Sequence, residues 1–144
     1  LYVPAASSEL RDPNGRYRLT LPTGQTAVNN SPSFTVVEYV NPNAAFLFMA
    51  GDAKATLGAS VESLVRRVDA GFNIKATQTT KLPRMNGVMW TQLLYPLPGG
   101  QTLAVLATQQ GSTVYVIAVQ AKTGDLNALA GKLQQIASSY QILR

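Results

Sequence analysis

The spacing of apolar residues predicts that most of the chain forms extended strands. The clearest strand is 16–22, where every second residue from Tyr17 to Leu21 is apolar and the opposite face carries Arg16 and Arg18. A period of two is typical of a strand with one buried face. Longer apolar or Thr-rich runs predict six further strands, at 34–40, 44–50, 74–82, 88–97, 101–109 and 112–120.

Short turn sequences connect several of these strands. Residues 12–15 (Asp-Pro-Asn-Gly) predict a reversal before the first strand, because proline fixes its own φ while Asn and Gly tolerate positive φ. Residues 41–43 (Asn-Pro-Asn) predict a hairpin between the next two strands. Residues 98–100 (Pro-Gly-Gly) and 110–111 (Gln-Gly) predict tight reversals that make the last three strands an antiparallel meander.

Two stretches have the three-to-four-residue spacing of amphipathic helices. The first is expected to start near Ser60, a candidate N-cap, and to end near Gly71; its apolar stripe contains Val61, Leu64, Val65, Val68 and Phe72. The second is capped by Thr123 or Asp125 and runs to about Ser139. Its predicted stripe contains Leu126, Leu129, Ala130, Leu133, Ile136, Ala137 and Tyr140.

The order of these elements is strand, hairpin, helix, four-strand meander and helix. It predicts an α+β sandwich in which a mostly antiparallel sheet is flanked by two amphipathic helices. Residues 1–10 have no useful period and are predicted to be an N-terminal arm or linker, and 23–33 a polar loop. Residues 11–144 are predicted to form a single domain.

The absence of histidine and cysteine limits the chemistry available to the 144 residues. It removes Ser-His-Asp and Cys-His nucleophiles and the usual ligands of zinc, haem and iron–sulfur clusters. We therefore expect no cofactor, no metal and no catalysis by the chain on its own.

The seven acidic residues offer little alternative chemistry. Glu38 lies inside an apolar run, where it is either a buried acid in a pocket or, as we favour, a residue on the solvent side of a strand. Asp12 begins a turn that resembles the start of a calcium loop. Thr23 stands where the distal glutamate of such a loop would be needed, so the turn interpretation is preferred.

The charge distribution is dilute, with 13% charged residues and a formal net charge of +5. Nucleic-acid binders gather their basic residues on one face, whereas these are spread along the chain, so nucleic acid is not expected as a partner. Low charge with a neutral polar exterior favours an extracytoplasmic location. The chain begins at Leu1, which indicates either a trimmed chain or a mature fragment, and membrane association is expected only through an anchor outside it.

Two sets of residues are candidates for a binding surface. Arg16 and Arg18, with Arg66, Arg67 and nearby lysines (Lys75, Lys81), would form a basic patch for an acidic partner or anionic headgroups. The alternative is a solvated strand face whose charges protect an edge.

The second set is aromatic. Trp90, Tyr95 and Tyr115 would stack a ligand or anchor a partner if they shared one face. Trp90 and Tyr95 are five residues apart, which places them on opposite sides of an ideal strand. The alternative is therefore that they belong to the core beneath a helix.

The chain resembles the PsbP-like fold family in three features: the phrase at 12–22 (DPNGRYRLTLP), the helix at 60–72, and the strand 114–119 leading into a final helix. The family includes the extrinsic photosystem subunit, a Ran-binding import factor and many bacterial envelope lipoproteins. The opening phrase is also similar to that of accessory domains on bacterial serine hydrolases of β-lactamase type. Gln25 departs from the pattern, because an aromatic residue commonly follows the Pro-Gly of that phrase.

The resemblance implies an accessory or protein-binding role and carries over no site residue. We therefore expect a non-catalytic domain of a bacterial extracytoplasmic protein, bound to another protein or to a neighbouring domain. The alternative is a module that binds a small molecule or lipid in an apolar pocket between helix and sheet.

Overall fold

Ten strands and two α-helices make up the described part of the chain, residues 8–40 and 42–143 of a computed structural model. In chain order they are β1 Ser8–Arg11, β2 Tyr17–Leu21, β3 Ala27–Asn30, β4 Thr35–Val40, β5 Asn43–Asp52, α1 Leu57–Val65, β6 Gln78–Lys81, β7 Thr91–Leu97, β8 Gln101–Gln110, β9 Thr113–Lys122, α2 Leu126–Ser139 and β10 Gln141–Ile142. This α+β arrangement, with its mostly antiparallel strands, confirms the predicted fold class.

A seven-stranded antiparallel sheet occupies the middle of the structure, in the order β3-β4-β5-β9-β8-β7-β6. Its central strands β5, β9 and β8 are buried on both faces. Each face of these strands packs against a separate layer, which we call a cover. Phe48, Ile117 and Leu106 lie side by side in register and face the first cover. Met49 and Val116 face the other. Burial on both faces explains why these strands read as continuous apolar runs rather than as alternating ones.

The first cover consists of α2 and a three-stranded sheet in the order β1-β2-β10. Tyr140, directly after α2, lies at the centre of its aromatic packing. Its ring stacks on Tyr17 at 5.3 Å and meets Trp90 and Tyr115 edge-on at 5.0 and 6.4 Å between centroids. Offset and edge-on pairs of this kind add stability beyond the area they bury.

The second cover consists of α1 and the segment that follows it. Val61 and Leu64 of α1 pack against β5, β8 and β9. Phe72, beyond the helix, meets Tyr95 of β7 edge-on at 5.4 Å. Val68 was predicted in the same apolar stripe but follows the helix and is 39% exposed.

The start of α1 differs from the prediction. Thr56 is the N-cap, with its hydroxyl accepting a hydrogen bond from the Ala59 N–H at 3.0 Å. Ser60, the predicted cap, lies inside the helix and is buried; its hydroxyl accepts from the Lys54 N–H and donates to the Thr56 carbonyl. Both residues carry a hydroxyl group, but Thr56 has the extended backbone of an N-cap, with φ of −131° and ψ of 159°, whereas Ser60 lies within the helix.

The hairpins were predicted well. β4 pairs with β5 as a hairpin, and β6 to β9 form a continuous antiparallel meander; Asn41 of the first turn lies outside the described residues. Gly99 and Gly100 have φ of 78° and 73°, as their turn requires.

Three short strands were not predicted. β1 overlaps the end of the predicted arm, β3 lies within the predicted loop, and β10 follows the last helix. The predicted strand 74–82 is shortened to β6. The boundary proposed at residue 11 therefore falls inside a strand, while residues 1–7 and Arg144 lie outside the described residues. Strands of two to four residues are too short to display a period.

None of the helices in the described ranges is both long and apolar enough to cross a membrane.

The packing around Gly51 provides a test of the second cover. A Cβ at this position would lie 2.5 Å from Arg67 Nη2 and 2.6 Å from Leu64 Cδ2. We expect Gly51→Ala to destabilise the protein by about 1–3 kcal/mol through overpacking, measured by urea unfolding. The matched control is Gly131→Ala in α2, where nothing lies within 4 Å. It should stabilise by about 0.8–1 kcal/mol through helix propensity, and equal effects of the two changes would contradict the packing argument.

Candidate functional site

Two of the predicted basic residues meet at one backbone carbonyl. β4 pairs with β5 only as far as Phe48. Beyond that point the Ala50 carbonyl accepts hydrogen bonds from Arg16 Nη1 at 2.8 Å and Arg67 Nη1 at 3.1 Å. Arg16 belongs to the first cover and Arg67 follows α1 in the second. The carbonyl therefore joins both covers to the central sheet.

Asp12 neutralises one of these two guanidinium groups. Its Oδ2 accepts from Arg16 Nε at 2.6 Å and from the Arg16 backbone N–H at 3.0 Å, and its side chain is 2% exposed. Asp12 also begins the predicted turn, since its carbonyl accepts from the Gly15 N–H and Gly15 has φ of 72°. The turn therefore fixes the counterion of Arg16 as well as the direction of the chain.

The protonation of Asp12 reflects two opposed effects. Burial raises the pKa of the carboxyl group, because a charge loses its hydration. Hydrogen bonds from the Arg16 side chain and from the backbone N–H groups of Arg16 and Asn14, with the charge of Arg16, outweigh burial and hold that pKa below its ordinary value. Asp12 is ionised at neutral pH and serves as a structural anion.

Arg67 carries its charge without a carboxylate partner in the described ranges. Besides the Ala50 carbonyl, its Nη1 binds only the Ser33 carbonyl, at 3.3 Å. Arg67 thus links Ser33, which precedes β4, to β5 through hydrogen bonds to two backbone carbonyls.

Arg18 and Arg66 are separate from this pair. Arg18 Nε donates to Gln141 Oε1 at 2.5 Å and its Nη1 lies 3.9 Å from Glu9. Arg66 Nε donates to the Phe72 carbonyl and its Nη2 lies 3.6 Å from Glu62. The structure brings together Arg16 and Arg67 of the four arginines, and a binding role for any of them stays a prediction.

Trp90 and Tyr95 are core residues, with 1% and 0% exposure. Trp90 packs in the first cover and Tyr95 in the second, so they lie on opposite faces as their spacing indicated. Tyr115 is also buried in the first cover. The interpretation of these aromatics as surface binding residues is therefore corrected: large rings on a sheet covered on both faces are drawn into the core. Glu38, in contrast, is exposed on β4, as preferred from the sequence.

The buried tyrosines are not poised for proton transfer. Burial, with a smaller contribution from the charge of Glu62, raises the pKa of Tyr95 to about 12. Burial likewise raises the pKa of Tyr140 well above its ordinary value. The hydroxyls of both have no hydrogen-bond partner among the described residues. Both stay protonated at neutral pH and contribute packing rather than reactivity.

Two cavities lie at the end of the sheet where the segment 82–90 meets the β8–β9 turn. The larger, about 820 Å³, is lined by uncharged residues that include Asn86, Ser112 and Gln141. The smaller, about 320 Å³, is lined by Lys81, Arg84 and Met89 among others. Of the residues that line them, the sequence analysis named Lys81 in the basic set and Trp90 and Tyr115 in the aromatic set. The sequence signal that could have predicted this site is the Asn-Gly turn at 86–87, which follows Lys81 and Arg84 and precedes Met89.

A third feature is an apolar groove between α2, the segment 82–85 and the strands β7 and β8. Its volume is about 320 Å³ and its lining includes Leu82, Met85, Leu106 and Leu133. It lies where the sequence-based alternative placed a pocket, between helix and sheet. Across the same described ranges, no three acidic side chains converge in a group that could hold a metal ion.

The Asp12–Arg16 pair generates a pH-dependent prediction. Asp12→Asn should cost about 2–3 kcal/mol at pH 7, because it removes the charge that holds a partly buried guanidinium. Since the folded-state pKa of Asp12 is depressed, its stabilisation is complete above the unfolded value of about 3.9 and is lost as the pH falls through the folded value. The difference between wild type and variant should therefore shrink below about pH 4 in urea unfolding measured at several pH values.

Asp52→Asn is the matched control, since Asp52 is exposed at the end of β5 and has no ion pair in the described ranges. It should change stability by less than about 0.5 kcal/mol at every pH. A pH-independent loss in Asp12→Asn would contradict the ion-pair account.

Comparisons with known proteins identify the fold. No protein-family model matches the chain, and no curated protein matches it by sequence. Cyanobacterial PsbP (CyanoP) from Synechocystis superposes with a TM-score of 0.65 at 13% identity, over 99% of this chain and 95% of that one. The Saccharomyces cerevisiae Ran-binding protein Mog1p gives 0.60 at 11% identity, over 95% of both chains.

Two bacterial structures extend the likeness. LpqN of Mycobacterium tuberculosis, described as involved in cell envelope biogenesis, has a TM-score of 0.55 at 14% identity, over 96% of this chain and 91% of that one. A Bacteroides thetaiotaomicron protein has 0.62 at 8% identity; 94% of this chain is covered, but only 48% of the other. This chain thus spans about half of that protein. The likenesses confirm the fold expected from the sequence: the chain has the PsbP-like fold.

Proposed function

We propose that this chain is a non-catalytic accessory domain that binds another protein, or a neighbouring domain of its own parent chain, outside the cytoplasm. The observation that carries the proposal is the end-to-end likeness to a Ran-binding protein, which covers 95% of both chains. The half-length match to the Bacteroides protein supports an accessory role, because there a unit of this fold accompanies further sequence.

The chemistry of the chain supports binding rather than catalysis. It has no histidine or cysteine to act as nucleophile, base or soft metal ligand. The groups whose pKa is shifted are engaged in structure: Asp12 binds Arg16, and Tyr95 and Tyr140 pack in the core. A perturbed group in a cleft is the usual mark of a catalytic site, and here the perturbed groups belong to covers and turns.

The extracytoplasmic location is supported by the likeness to LpqN, which is described as acting in cell envelope biogenesis. The low share of charged residues, 13%, is consistent with it. We expect the parent protein to fractionate with envelope or secreted markers in its native host. Recovery with a cytoplasmic marker enzyme would refute this part of the proposal.

Partner binding is tested with purified proteins, because co-purification from the host does not by itself show direct binding. Proteins cross-linked to the parent protein in its host are identified, purified separately and titrated into the domain by calorimetry. We expect saturable binding by at least one of them, and no substrate turnover by the domain. The proposal fails if no purified candidate binds, or if the domain alone catalyses a reaction at a rate that survives repurification.

A second candidate function is lipid or small-molecule binding, favoured by the apolar groove beside α2. Leu82, Met85 and Leu133 of this groove pack against the cluster that contains Trp90. An acyl chain entering it would therefore alter the environment of the single tryptophan. The groove is open at the surface, which is why we rank this function second.

Tryptophan fluorescence tests the lipid hypothesis. Oleate and lysophosphatidylcholine, below their micelle concentrations, should produce a saturable change in Trp90 emission and raise the melting temperature. Leu133→Lys should abolish the change, whereas Ala128→Lys, on an exposed position of α2 outside the groove, should retain it. Identical spectra with and without these ligands would rule the function out for this chemistry.

A further inference from the structure

The two cavities at the end of the sheet adjoin each other, because Gly87 and Gln110 line both, and we treat them as one groove. We call it the end groove and define it by Lys81, Arg84, Gly87, Met89, Gln110 and Gln141. Of these six residues, only Lys81 belonged to a site expected from the sequence. Its walls are the segment 82–90, the β8–β9 turn and β10.

We propose that the end groove binds an acidic, extended segment of the partner protein. This inference rests on the proposed function and specifies the chemistry of the partner. It assigns one half of the groove to carboxylates and the other half to peptide backbone.

The charged half of the groove has cations without counterions. Lys81 and Arg84 have no ion pair in the described ranges, and no acidic residue lines either cavity. Five other cations lie within 4 Å of a carboxylate: Arg11, Arg16, Arg18, Arg66 and Lys75. The remaining described cations also lack such a partner but do not line this groove: Lys54, Arg67, Lys122 and Lys132. Two unpaired cations that line one concave surface attract a ligand carboxylate and orient it by charge-assisted hydrogen bonds.

An apolar contact lies beside these cations. Met89 is 49% exposed, one of the most exposed large apolar side chains in the described ranges. Arg84 Nη2 lies 3.3 Å from its sulfur, while Arg84 Nη1 donates to the Gly87 carbonyl at 3.2 Å. A flexible thioether next to a guanidinium suits a ligand in which acidic and apolar side chains alternate.

The uncharged half suits a peptide backbone. Its amides and hydroxyls, such as those of Asn86, Ser112 and Gln141, offer both donors and acceptors. In the described part of the chain β10 pairs only with β2, so its other edge is not engaged by a strand. An extended segment can bind such an edge through its own N–H and carbonyl groups.

The groove is also held in shape before any ligand arrives. Asn86 adopts φ of 49°, a conformation in which asparagine is tolerated better than most residues. Its Nδ2 donates to the Tyr140 carbonyl at 2.9 Å, which ties the segment 82–90 to the end of α2. A bridge between Met85 and Val88 closes the turn around it. Pre-organised walls reduce the entropy lost on binding.

The test uses the whole chain and a fluorescein-labelled dodecapeptide in which Glu alternates with Leu and Thr. Anisotropy at low salt should show saturable binding that weakens as salt rises. Lys81→Gln/Arg84→Gln should weaken it at least about fivefold, since two rim charges are removed from the site. Amide shifts in NMR spectra should cluster at Gly87, Met89 and Gln110.

The matched control is Lys54→Gln/Lys122→Gln, which lowers the net charge equally at exposed positions outside the end groove. It should change the affinity less than about twofold. Equal losses in both double variants, shifts elsewhere, or no saturable binding would overturn the proposal. So would binding of phosphatidylglycerol vesicles that depends on Lys81 and Arg84 without binding of the peptide. All variants must melt within about 2 °C of wild type.

The outcome separates this inference from the proposed function. A purified partner that binds equally well to Lys81→Gln/Arg84→Gln leaves the protein-binding function standing and overturns the end groove as its site. A partner whose affinity falls in this variant but not in the control supports both. Failure of every purified partner, with the acidic peptide still bound in the groove, overturns the proposed function instead.

Discussion

The burial of β5, β9 and β8 on both faces is the constraint on which the rest of the structure depends. A strand with two apolar faces requires a cover on each, so the chain builds one from α2 and a small sheet and the other from α1 and the segment after it. Each cover receives its own aromatic centre, around Tyr140 in the first and Phe72 in the second. Without cysteine, no disulfide can fasten the covers.

The covers are instead joined to each other through the sheet. Arg16 of the first cover and Arg67 of the second share the Ala50 carbonyl, and Asp12 supplies the counterion. Cations used in this way are desolvated and oriented by the fold, which reduces their availability to a partner. Whether a cation already binds a group of its own fold is therefore a better guide to a binding surface than the net charge of +5.

Features that depend on residues close together in the sequence could be predicted, and features that depend on distant residues could not. Alternation along β2 and the glycine turns of the meander are local, and both were predicted. The strands β1, β3 and β10 are defined by their partners rather than by their own two to four residues. The partnership of Arg16 with Ala50 spans 34 positions, and no local pattern encodes it. The odd spacing of Trp90 and Tyr95 correctly predicted that they lie on opposite faces of the sheet. Their burial could not be predicted in the same way, because it depends on both faces of the sheet being covered.

The same constraint limits where a partner can dock. Because the covers occupy both faces of the central strands, the large sheet itself offers a partner only its outer strands and its ends. The edges are β3 and β6, each four residues long, and β6 ends at Lys81, a charge that discourages pairing with another strand. At the end formed by the segment 82–90 and the β8–β9 turn, Val88 and Trp90 belong to the core. Arg84, Met89 and Gln110 are exposed there and can vary in sequence without disturbing either cover. A fold that buries both faces of its central strands leaves strand ends and loops exposed. Here they carry Lys81 and Arg84, without an ion pair in the described ranges, beside the exposed Met89, and this is where we propose that a partner binds.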